Sequence, residues 1–393
     1  MKLLIISKMF PNRLEQTFGK FVLDETIELA KMHDVRVIAP IPWFPRLPIF
    51  PKWYHFSLIP QQDTINNIPV YYPRYIVTPK IGRSFYGRNY IRGIRRTVAR
   101  IWSHFQFDLI LAHYAYPDGY SAAYYKKLYK RPLVLKLHGS DINEDLDIRG
   151  LRKGTLRALQ KADLLVPVSR ALKEEMLSEG IAAEKIKVIN NGINKSLFRR
   201  MDRAECRRRL NLPPDKQLIL YVGYLDPVKG VPLLIDGFQN YLNLGGNNTD
   251  LLLVGDGELR EEVKQKINQM NLNQHVKLMG NKSHEQIPLW MNACDALCLS
   301  SYFEGYPMVL IEAKSCGLPI VATDVGGIKE ILHDDASSRI VPRGDAMAIG
   351  RGIQQVLQQN RAAGGVLPVS RSWEDVAEDM NREFKALMGK TGR

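Results

Sequence analysis

Two glutamates in the second half of the chain lie eight residues apart, on either side of a predicted helix start. Glu304 stands in a Glu-Gly-Tyr-Pro sequence, in which Pro307 suits the first turn of a helix because that position needs no backbone N–H. The helix should continue through apolar residues and end at Gly317, since glycine readily adopts the left-handed conformation of a helix terminus. Glu304 is therefore predicted on the loop before the helix, and Glu312 in its second turn.

The start of this predicted helix has the properties of a phosphate site. The backbone N–H groups of Met308 and Val309 have no acceptor within the helix, and the helix dipole adds positive charge there. One carboxylate could then hold sugar hydroxyls on one side of a diphosphate, and the other could hold ribose hydroxyls on the far side. The alternative is that both glutamates are merely solvated, but Gly305 and the glycines of residues 323–327 favour a binding site.

Three further candidate residues lie where predicted strands end. Gly19 follows the first strand and opens a helix, so that bare backbone could approach a donor phosphate; a plain turn is the alternative. His113 closes one strand and His138 ends the next, and ligands of parallel sheets bind beyond the carboxyl ends of the strands. The alternative for His113 is a satisfied histidine in the core.

Apolar runs alternate with helical patterns along the chain, which predicts parallel sheets built from crossover units. A first series of strands is predicted at residues 3–7, 35–40, 70–72, 109–113, 133–138, 164–168 and 187–189. After a charged segment and a proline pair, a second series follows at residues 218–222, 251–254, 276–279, 296–299 and 320–322. We therefore predict an α/β protein with two doubly wound domains, residues 1–198 and 199–370, and a ligand-binding cleft between them.

The chain is strongly basic, with a net charge of +14. The excess is local, because no carboxylate occurs between Asp63 and Asp108. Apolar residues recur there at helical spacing and the arginines fall mostly on other faces, which is the pattern of a basic amphipathic helix on anionic lipid headgroups. The predicted membrane contacts are Arg88, Arg92, Arg95 and Arg96. A solvated face is the alternative, and nucleic-acid binding is disfavoured because no aromatic stacking series accompanies the charges.

The sequence gives no indication of export or of a metal site. No apolar run reaches the roughly 20 residues of a membrane span, and the first one is too short for a signal peptide. The four cysteines lack a set of paired Cys or His residues, so that reduced core thiols are expected and a zinc site is not. We expect a cytoplasmic protein that is peripheral on the inner face of the cytoplasmic membrane.

Several stretches resemble one enzyme family. The sequence SYFEGYPMVLIEAKSCGLPIVATDVGG, at residues 301–327, is similar to the signature of the retaining glycosyltransferases of family 4. VGYLDPVKG, at residues 222–230, resembles the family's phosphate-binding lysine loop, and residues 190–193 and 253–259 match other landmarks. The resemblance implies the GT-B fold, with two Rossmann-like domains facing across a cleft and a last helix, within residues 371–393, that crosses back to the first domain. It is closest to bacterial transferases of teichuronic acid and exopolysaccharide assembly.

The resemblance also implies a reaction, in which a hexosyl group moves from a UDP-, GDP- or similar nucleotide sugar to a lipid-linked or other saccharide acceptor. Lys229 would stabilise the departing diphosphate, Glu304 would orient the sugar hydroxyls, and His113 would contact the transferred sugar or the acceptor. The implied donor-binding residues are Gly19, Tyr224, Gly305, Met308, Val309, Glu312 and His138. Tyr224 departs from many relatives, which have Arg or Asn there. No metal ion or other cofactor is implied.

Two alternatives stay open. A sugar-nucleotide epimerase or a phosphorylase-like enzyme would share the two domains, but no lysine lies in a recognisable pyridoxal site, and the spaced glutamates are typical of retaining transferases. A catalytically silent protein that binds membranes or polysaccharides could also keep the fold. The presence of Lys229, Glu304 and Glu312 together argues against it.

Overall fold

The computed structural model describes residues 1–45, 47, 51–77, 86–143, 146, 148–359 and 371–391. The chain divides into two compact units. One consists of Met1–Gly192 together with Trp373–Arg393, and the other of Ile193–Ser372. Each unit has one large sheet in which most strands are parallel, as the alternation of apolar runs and helical patterns predicts.

The first unit is built on a sheet of seven strands. The described residues of this unit form nine strands in all: β1 (Lys2–Ile6), β2 (Asp34–Ile38), β3 (Ile41–Pro42), β4 (Gln62–Ile65), β5 (Ile68–Tyr71), β6 (Arg74–Tyr75), β7 (Leu109–His113), β8 (Leu133–Leu137) and β9 (Leu164–Pro167). The large sheet has the order β4-β5-β2-β1-β7-β8-β9, with β4 antiparallel to β5, while β3 and β6 pair separately. Every residue of β7, β8 and β9 is buried, which is why these strands are almost wholly apolar; the exceptions are His113 and Lys136, and Lys136 pairs with the buried Glu25.

The helices of the first unit connect these strands. They are α1 (Lys20–Met32), α2 (Pro51–Leu58), α3 (Tyr86–Phe105), α4 (Tyr120–Tyr129), α5 (Ser140–Asn143), α6 (Arg149–Lys161) and α7 (Arg170–Ser178). The C-terminal helix, Trp373–Thr391, also belongs to this unit and packs against α1. Its Phe384 is fully buried and its ring lies 6.2 Å from that of His33.

The second unit has a six-stranded, wholly parallel sheet. Its strands are β10 (Gln217–Val222), β11 (Thr249–Val254), β12 (Val276–Gly280), β13 (Ala296–Leu299), β14 (Ile320–Thr323) and β15 (Arg339–Val341), in the order β12-β11-β10-β13-β14-β15. The helices are α8 (Arg203–Arg209), α9 (Val231–Asn243), α10 (Arg260–Gln269), α11 (Ile287–Ala293), α12 (Met308–Ser315), α13 (Ile328–Leu332) and α14 (Ala346–Gln358), which makes the C-terminal helix α15. This strand order is that of a Rossmann fold.

Both sheets have a point at which the strand order reverses direction. In the first unit this switch point lies between β1 and β7, and in the second it lies between β10 and β13. Loops that leave the carboxyl ends of neighbouring strands in opposite directions open a crevice there, where ligands of such sheets bind. The switch points therefore identify one candidate region in each unit.

The predicted strands agree with the structure at all positions but one. No strand forms at residues 187–189; a single bridge joins Ile186 to Leu165, and the N–H groups of Lys187 and Ile189 donate to carbonyl oxygens at 2.9 and 3.2 Å. The segment therefore forms backbone hydrogen bonds to the edge strand β9, but too few in succession to count as a strand. Four strands were not predicted from the sequence because they are short or polar: β3, β4, β6 and β15.

Candidate functional site

The loop after β10 holds Lys229 at the switch point of the second unit. A turn of 3₁₀ helix, Pro227–Lys229, follows the strand, and the carboxylate of Asp226 caps it by accepting the N–H of Lys229 at 3.0 Å. The hydroxyl of Ser300, just after β13, donates to the carbonyl oxygens of Lys229 and Gly230 at 3.1 and 2.9 Å. Gly230 has a φ of 62°, and a Cβ there would lie 2.4 Å from the carbonyl oxygen of Ser300. The lysine loop is thus tied to the neighbouring strand, and only glycine fits at the contact.

Lys229 and Glu304 form an ion pair. The ammonium Nζ lies 2.8 Å from Glu304 Oε1, and the hydroxyl of Ser301 donates to the same oxygen at 2.7 Å. The carboxylate is nearly buried, and the lysine side chain keeps about a quarter of its surface exposed. A cation and a carboxylate from two loops of one switch point therefore meet at a single position.

The backbone around Glu304 is packed closely against the loop after β14. A Cβ at Gly326 would lie 1.8 Å from the carbonyl oxygen of Glu304, and the N–H of Gly327 donates to the carbonyl of Gly305 at 3.0 Å. Gly326 also has a φ of 52°. The glycines of residues 323–327, which the sequence analysis associated with the site, thus position the carbonyl of Glu304 through close backbone contact.

Helix α12 begins directly after this loop, as predicted. Pro307 is the N-cap residue, and the first hydrogen bond of the helical turn runs from the N–H of Leu310 to the carbonyl of Pro307 at 3.1 Å. Met308 and Val309 precede that bond and are half-buried residues, and their N–H groups have the position of an anion-binding helix terminus. Gly317, with a φ of 70°, ends the helix where the sequence predicts.

Glu312 lies in the second turn of α12 and has a partner that the sequence analysis missed. His284 Nε2 lies 3.1 Å from Glu312 Oε1, and the ring of Phe198 lies edge-on to the imidazole at 5.1 Å. His284 belongs to a loop before α11, outside any recognised motif, so only the fold reveals its contact with the carboxylate.

Tyr224 is 62% exposed, and its carbonyl accepts a hydrogen bond from the hydroxyl of Tyr221 at 2.7 Å.

In the first unit, Gly19 is the N-cap residue of α1 and follows β1 at the switch point. Its φ is 68°, and a Cβ there would lie 2.4 Å from the carbonyl oxygen of Met9. The left-handed backbone and this contact both require glycine, independently of any ligand. The turn that was the alternative in the sequence analysis is therefore present in the structure.

His113 ends β7 on the other side of the same switch point, and it pairs with His138. Nδ1 of His113 lies 3.1 Å from Nε2 of His138, and the two rings are stacked with an interplanar angle of 13°. Burial lowers the pKa of both imidazoles well below the usual value, and the positive charge of Lys136 lowers it further. The pair is therefore neutral near pH 7, so that one ring donates to the other.

Asp141 joins the loops that carry the histidines. Its Oδ1 accepts the N–H groups of His138 and Gly139 at 3.1 and 2.9 Å, and its Oδ2 accepts the N–H of Ala115 at 3.2 Å. Within the described residues, Nε2 of His113 and Nδ1 of His138 are buried without a hydrogen-bond partner. These two nitrogens are free to bind a further polar group at the carboxyl edge of the sheet.

The arginines of α3 lie on the exposed side of that helix. Its buried side is the apolar stripe Tyr90, Ile94, Val98, Ile101 and Phe105. Arg88, Arg92, Arg95, Arg96 and Arg100 are all exposed. The apolar stripe therefore packs on the unit itself, and the arginines form a separate basic surface.

The described residues contain neither a membrane-spanning helix nor a cluster of metal ligands. None of the helices in the described part of the chain is long and apolar enough to cross a membrane. Over the same described residues, no group of three or more His, Cys, Asp or Glu side chains could hold a metal ion, and all four cysteines are buried as free thiols.

Comparison with known proteins places the chain in one family. Residues 19–197 match the family described as Glycosyltransferase Family 4, and residues 202–368 match Glycosyl transferases group 1. TuaC of Bacillus subtilis, a glycosyltransferase assigned to teichuronic acid biosynthesis, is 31% identical over 90% of this chain and 88% of its own. AmsK of Erwinia amylovora, an amylovoran biosynthesis glycosyltransferase, is 29% identical over 67% of this chain and 64% of its own.

Solved structures agree on the fold. Sucrose-phosphate synthase from Thermosynechococcus elongatus superimposes with a TM-score of 0.79 at 19% identity, covering 99% of this chain and 100% of that one. HepE of Anabaena in complex with UDP and glucose gives a TM-score of 0.73 at 22% identity, covering 98% and 99%. With its two Rossmann-like sheets, the chain belongs to glycosyltransferase family 4, has the GT-B fold, and is a retaining hexosyltransferase.

Proposed function

We propose that this enzyme moves a sugar from a nucleoside-diphosphate sugar to a lipid-linked saccharide during assembly of a cell-surface polysaccharide. The observation that carries the proposal is the ion pair of Lys229 and Glu304, beside the start of α12 at the switch point of the second unit. The names of TuaC and AmsK, which refer to teichuronic acid and amylovoran biosynthesis, support a polysaccharide product. The complexes of HepE with UDP and with UDP-glucose support a nucleotide-sugar donor.

The diphosphate of the donor is proposed to lie at the start of α12. The N–H groups of Met308 and Val309 would donate to its oxygens, and the ammonium of Lys229 would approach from the loop after β10. Glu312, steadied by His284 at 3.1 Å, would accept hydrogen bonds from the ribose hydroxyls. Glu304 would accept hydrogen bonds from hydroxyls of the sugar.

The reaction breaks the bond between the anomeric carbon and the diphosphate oxygen and forms a bond from the same face to an acceptor oxygen. Negative charge grows on the diphosphate as it leaves, and Lys229 and the helix terminus stabilise that charge. Glu304 stabilises the positive charge that develops on the sugar ring. The departing phosphate oxygen takes the proton of the acceptor hydroxyl, so that no separate base is required.

The histidine pair of the first unit is assigned to the sugar or the acceptor. His113 Nε2 is buried and has no partner within the described residues, and a neutral imidazole can donate to or accept from a hydroxyl. His138 holds the other ring nitrogen at 3.1 Å and so fixes the orientation of His113. We infer that His113 touches the substrates and that His138 positions it. Donor contacts by Gly19, Tyr224, Gly305 and His138 itself also remain proposals.

A lipid-linked acceptor requires the enzyme to work at a membrane surface, and the exposed arginines of α3 suit that task. Each surface cation near an anionic bilayer contributes on the order of 1 kcal/mol to adsorption. We therefore propose that Arg88, Arg92, Arg95 and Arg96 contact anionic headgroups at the cytoplasmic face of the membrane.

The experiment that tests the proposed function begins with a thermal-shift screen of UDP, GDP, ADP and their sugars. A ligand at 100 times its dissociation constant should add about 2.7 kcal/mol to the free energy of unfolding. The stabilising donor is then incubated with membrane extract, and the anomeric configuration of the product is determined by NMR. We expect release of nucleoside diphosphate and a retained configuration.

Three outcomes would contradict the proposal. Conversion of the donor to its epimer without transfer would indicate an epimerase. Binding of donors without any cleavage would indicate a catalytically silent protein. Transfer to a soluble saccharide, with no lipid-linked product, would contradict the lipid-linked acceptor but not the transferase activity.

A further inference from the structure

A large cavity lies between α4 and α6 in the first unit and reaches the residues just before β8 and β9. Its volume is about 1020 Å³, and it is lined by residues of α4 and α6 and by the residues just before β8 and β9. The histidine pair lies at the opposite, carboxyl edge of the same strands. None of the residues assigned to the transfer reaction lines this cavity.

Positive charge dominates the lining of this cavity. Its six cationic residues are Lys126, Lys127, Lys130, Arg131, Arg157 and Lys161. Among the described residues that line it, Asp163 is the only acid. Asp163 Oδ1 pairs with the ammonium of Lys126 at 2.6 Å, and its Oδ2 accepts the N–H of Leu133 at 2.8 Å. Asp163 thus compensates Lys126 and has no further oxygen for the other five cations.

Two of the arginines are held in place by aromatic rings. The guanidinium of Arg131 lies over the ring of Trp102 at 5.4 Å, and that of Arg157 lies over the ring of Tyr120 at 5.7 Å. A guanidinium that stacks on a ring keeps its N–H donors in the plane, where they can bind an anion. Nε of Arg131 is buried and has no hydrogen-bond partner within the described residues. An unmet donor in a cationic cavity indicates a missing acceptor.

We propose that this cavity binds a group bearing several phosphate charges. Planar guanidinium forks match phosphate oxygens, and surrounding lysines add charge without demanding a fixed geometry. The volume is that of a site for a headgroup or an oligophosphate and far exceeds one phosphate. The headgroup of an anionic lipid and a soluble phosphate compound offer the same chemistry. The inference goes beyond the proposed function, since it uses none of the residues assigned to donor or acceptor.

The test uses the full chain and two sets of substitutions. The cavity variant is Lys130→Gln/Arg131→Gln/Arg157→Gln. The control is Lys264→Gln/Arg209→Gln/Arg351→Gln, which removes the same numbers of lysines and arginines from exposed positions of the second unit. A second cavity variant, Lys127→Gln/Lys130→Gln/Lys161→Gln, leaves both stacked arginines intact in case the first one does not fold. Folding is checked by the melting temperature.

Binding of tripolyphosphate is measured by calorimetry, and binding to vesicles containing phosphatidic acid is measured by co-sedimentation. We expect at least a tenfold loss of affinity in a folded cavity variant and less than a twofold change in the control. Tripolyphosphate binding without vesicle binding would identify a soluble ligand. Vesicle binding that tripolyphosphate displaces would identify a lipid headgroup. The inference is overturned if neither probe binds the wild type, or if a folded cavity variant and the control bind equally.

Discussion

The ammonium of Lys229 and the carboxylate of Glu304 lie 2.8 Å apart, so that the proposed phosphate contact and the proposed sugar contact form a single ion pair. Each side chain comes from a loop after a different strand of the second sheet. Removing either one leaves the other without its charged partner in a partly buried position, which carries an energetic cost of its own. The two residues should therefore act as a unit.

Lys229→Met and Glu304→Gln test this coupling. Each should lower the single-turnover rate of transfer by roughly 10²-fold, a scale typical of lost electrostatic stabilisation of a transition state. The double variant should lose much less than the product of the two effects, because the second substitution removes a group that has already lost its partner. Strict additivity in the logarithm of the rate, with wild-type folding, would show that the pair is not a catalytic unit.

His284 and Glu312 should determine how tightly the nucleotide binds. Glu312→Ala is expected to weaken binding of the nucleoside diphosphate through lost ribose contacts. His284→Ala should weaken it by a smaller factor, up to about tenfold, because a positioning hydrogen bond is worth on the order of 1 kcal/mol. In the Glu312→Ala background, His284→Ala should have no further effect. Calorimetric titration measures all three affinities, and an undiminished effect in that background would place His284 on the nucleotide itself.

His113 distinguishes a substrate contact from a core position. His113→Ala should lower the transfer rate by roughly 10²-fold, a loss typical of misplaced reacting groups, and should leave the affinity for the nucleoside diphosphate unchanged. His138→Ala should reduce the rate less, since that ring acts through His113. A lower melting temperature with intact specific activity would show instead that His113 is a structural residue of the core.

Asp118 should make the stability of the fold depend on pH. Burial raises the pKa of this carboxyl to about 7; the neighbouring charged or titratable groups are Lys8, Tyr75, Tyr90 and Tyr114. Between about pH 4 and 7 the folded chain keeps a proton that the unfolded chain releases, so the free energy of unfolding falls as pH rises through this range. Asp118→Asn should flatten that dependence. Its effect on the free energy of unfolding, compared with the wild type, should be more stabilising at pH 8 than at pH 4. Urea denaturation at both pH values measures it, and an unchanged slope would refute the assignment.

The arginines of α3 should control adsorption to membranes. Arg88→Gln/Arg92→Gln/Arg95→Gln/Arg96→Gln keeps the buried stripe and removes four charges, so folding should persist while adsorption to anionic vesicles weakens by several kcal/mol at most. The matched set with lysine at the four positions retains the charges and should still bind. Raising salt should mimic the glutamine set, because surface charges are screened over about 10 Å at 0.1 M. Equal pelleting of wild type and the glutamine set would show that the arginines are only solvated.

The elements around the second-unit site were predictable because their signals are local. An apolar strand, a glycine-containing loop, a proline at the helix start and a glycine at its end define the path of the chain around Glu304 within about twenty residues. The contact of His284 with Glu312 was not predictable, since it joins residues on different loops outside any motif. The same holds for the stacking of His113 on His138, which the sequence places only on separate strand ends.

The missed strands have a similar explanation. β4 pairs antiparallel with β5 at the sheet edge, and its polar residues lack the apolar run that identified the central strands. The turn between them, Asn66-Asn67, has φ values of 50° and 62°, which asparagine tolerates well. An Asn-Asn pair before an apolar strand was therefore the available signal for this hairpin.

The position of α15 in the first unit bears on how the protein is made. This unit takes its first 192 residues from the start of the chain and its last helix from the end, with the whole second unit inserted in sequence. Phe384 and Met380 of α15 are fully buried. During translation, the ribosome must therefore synthesise the second unit before the side chains that complete the first core emerge. A nascent chain that stops short of α15 would leave that part of the first core uncovered, and such a chain would be a ready substrate for chaperones and proteases.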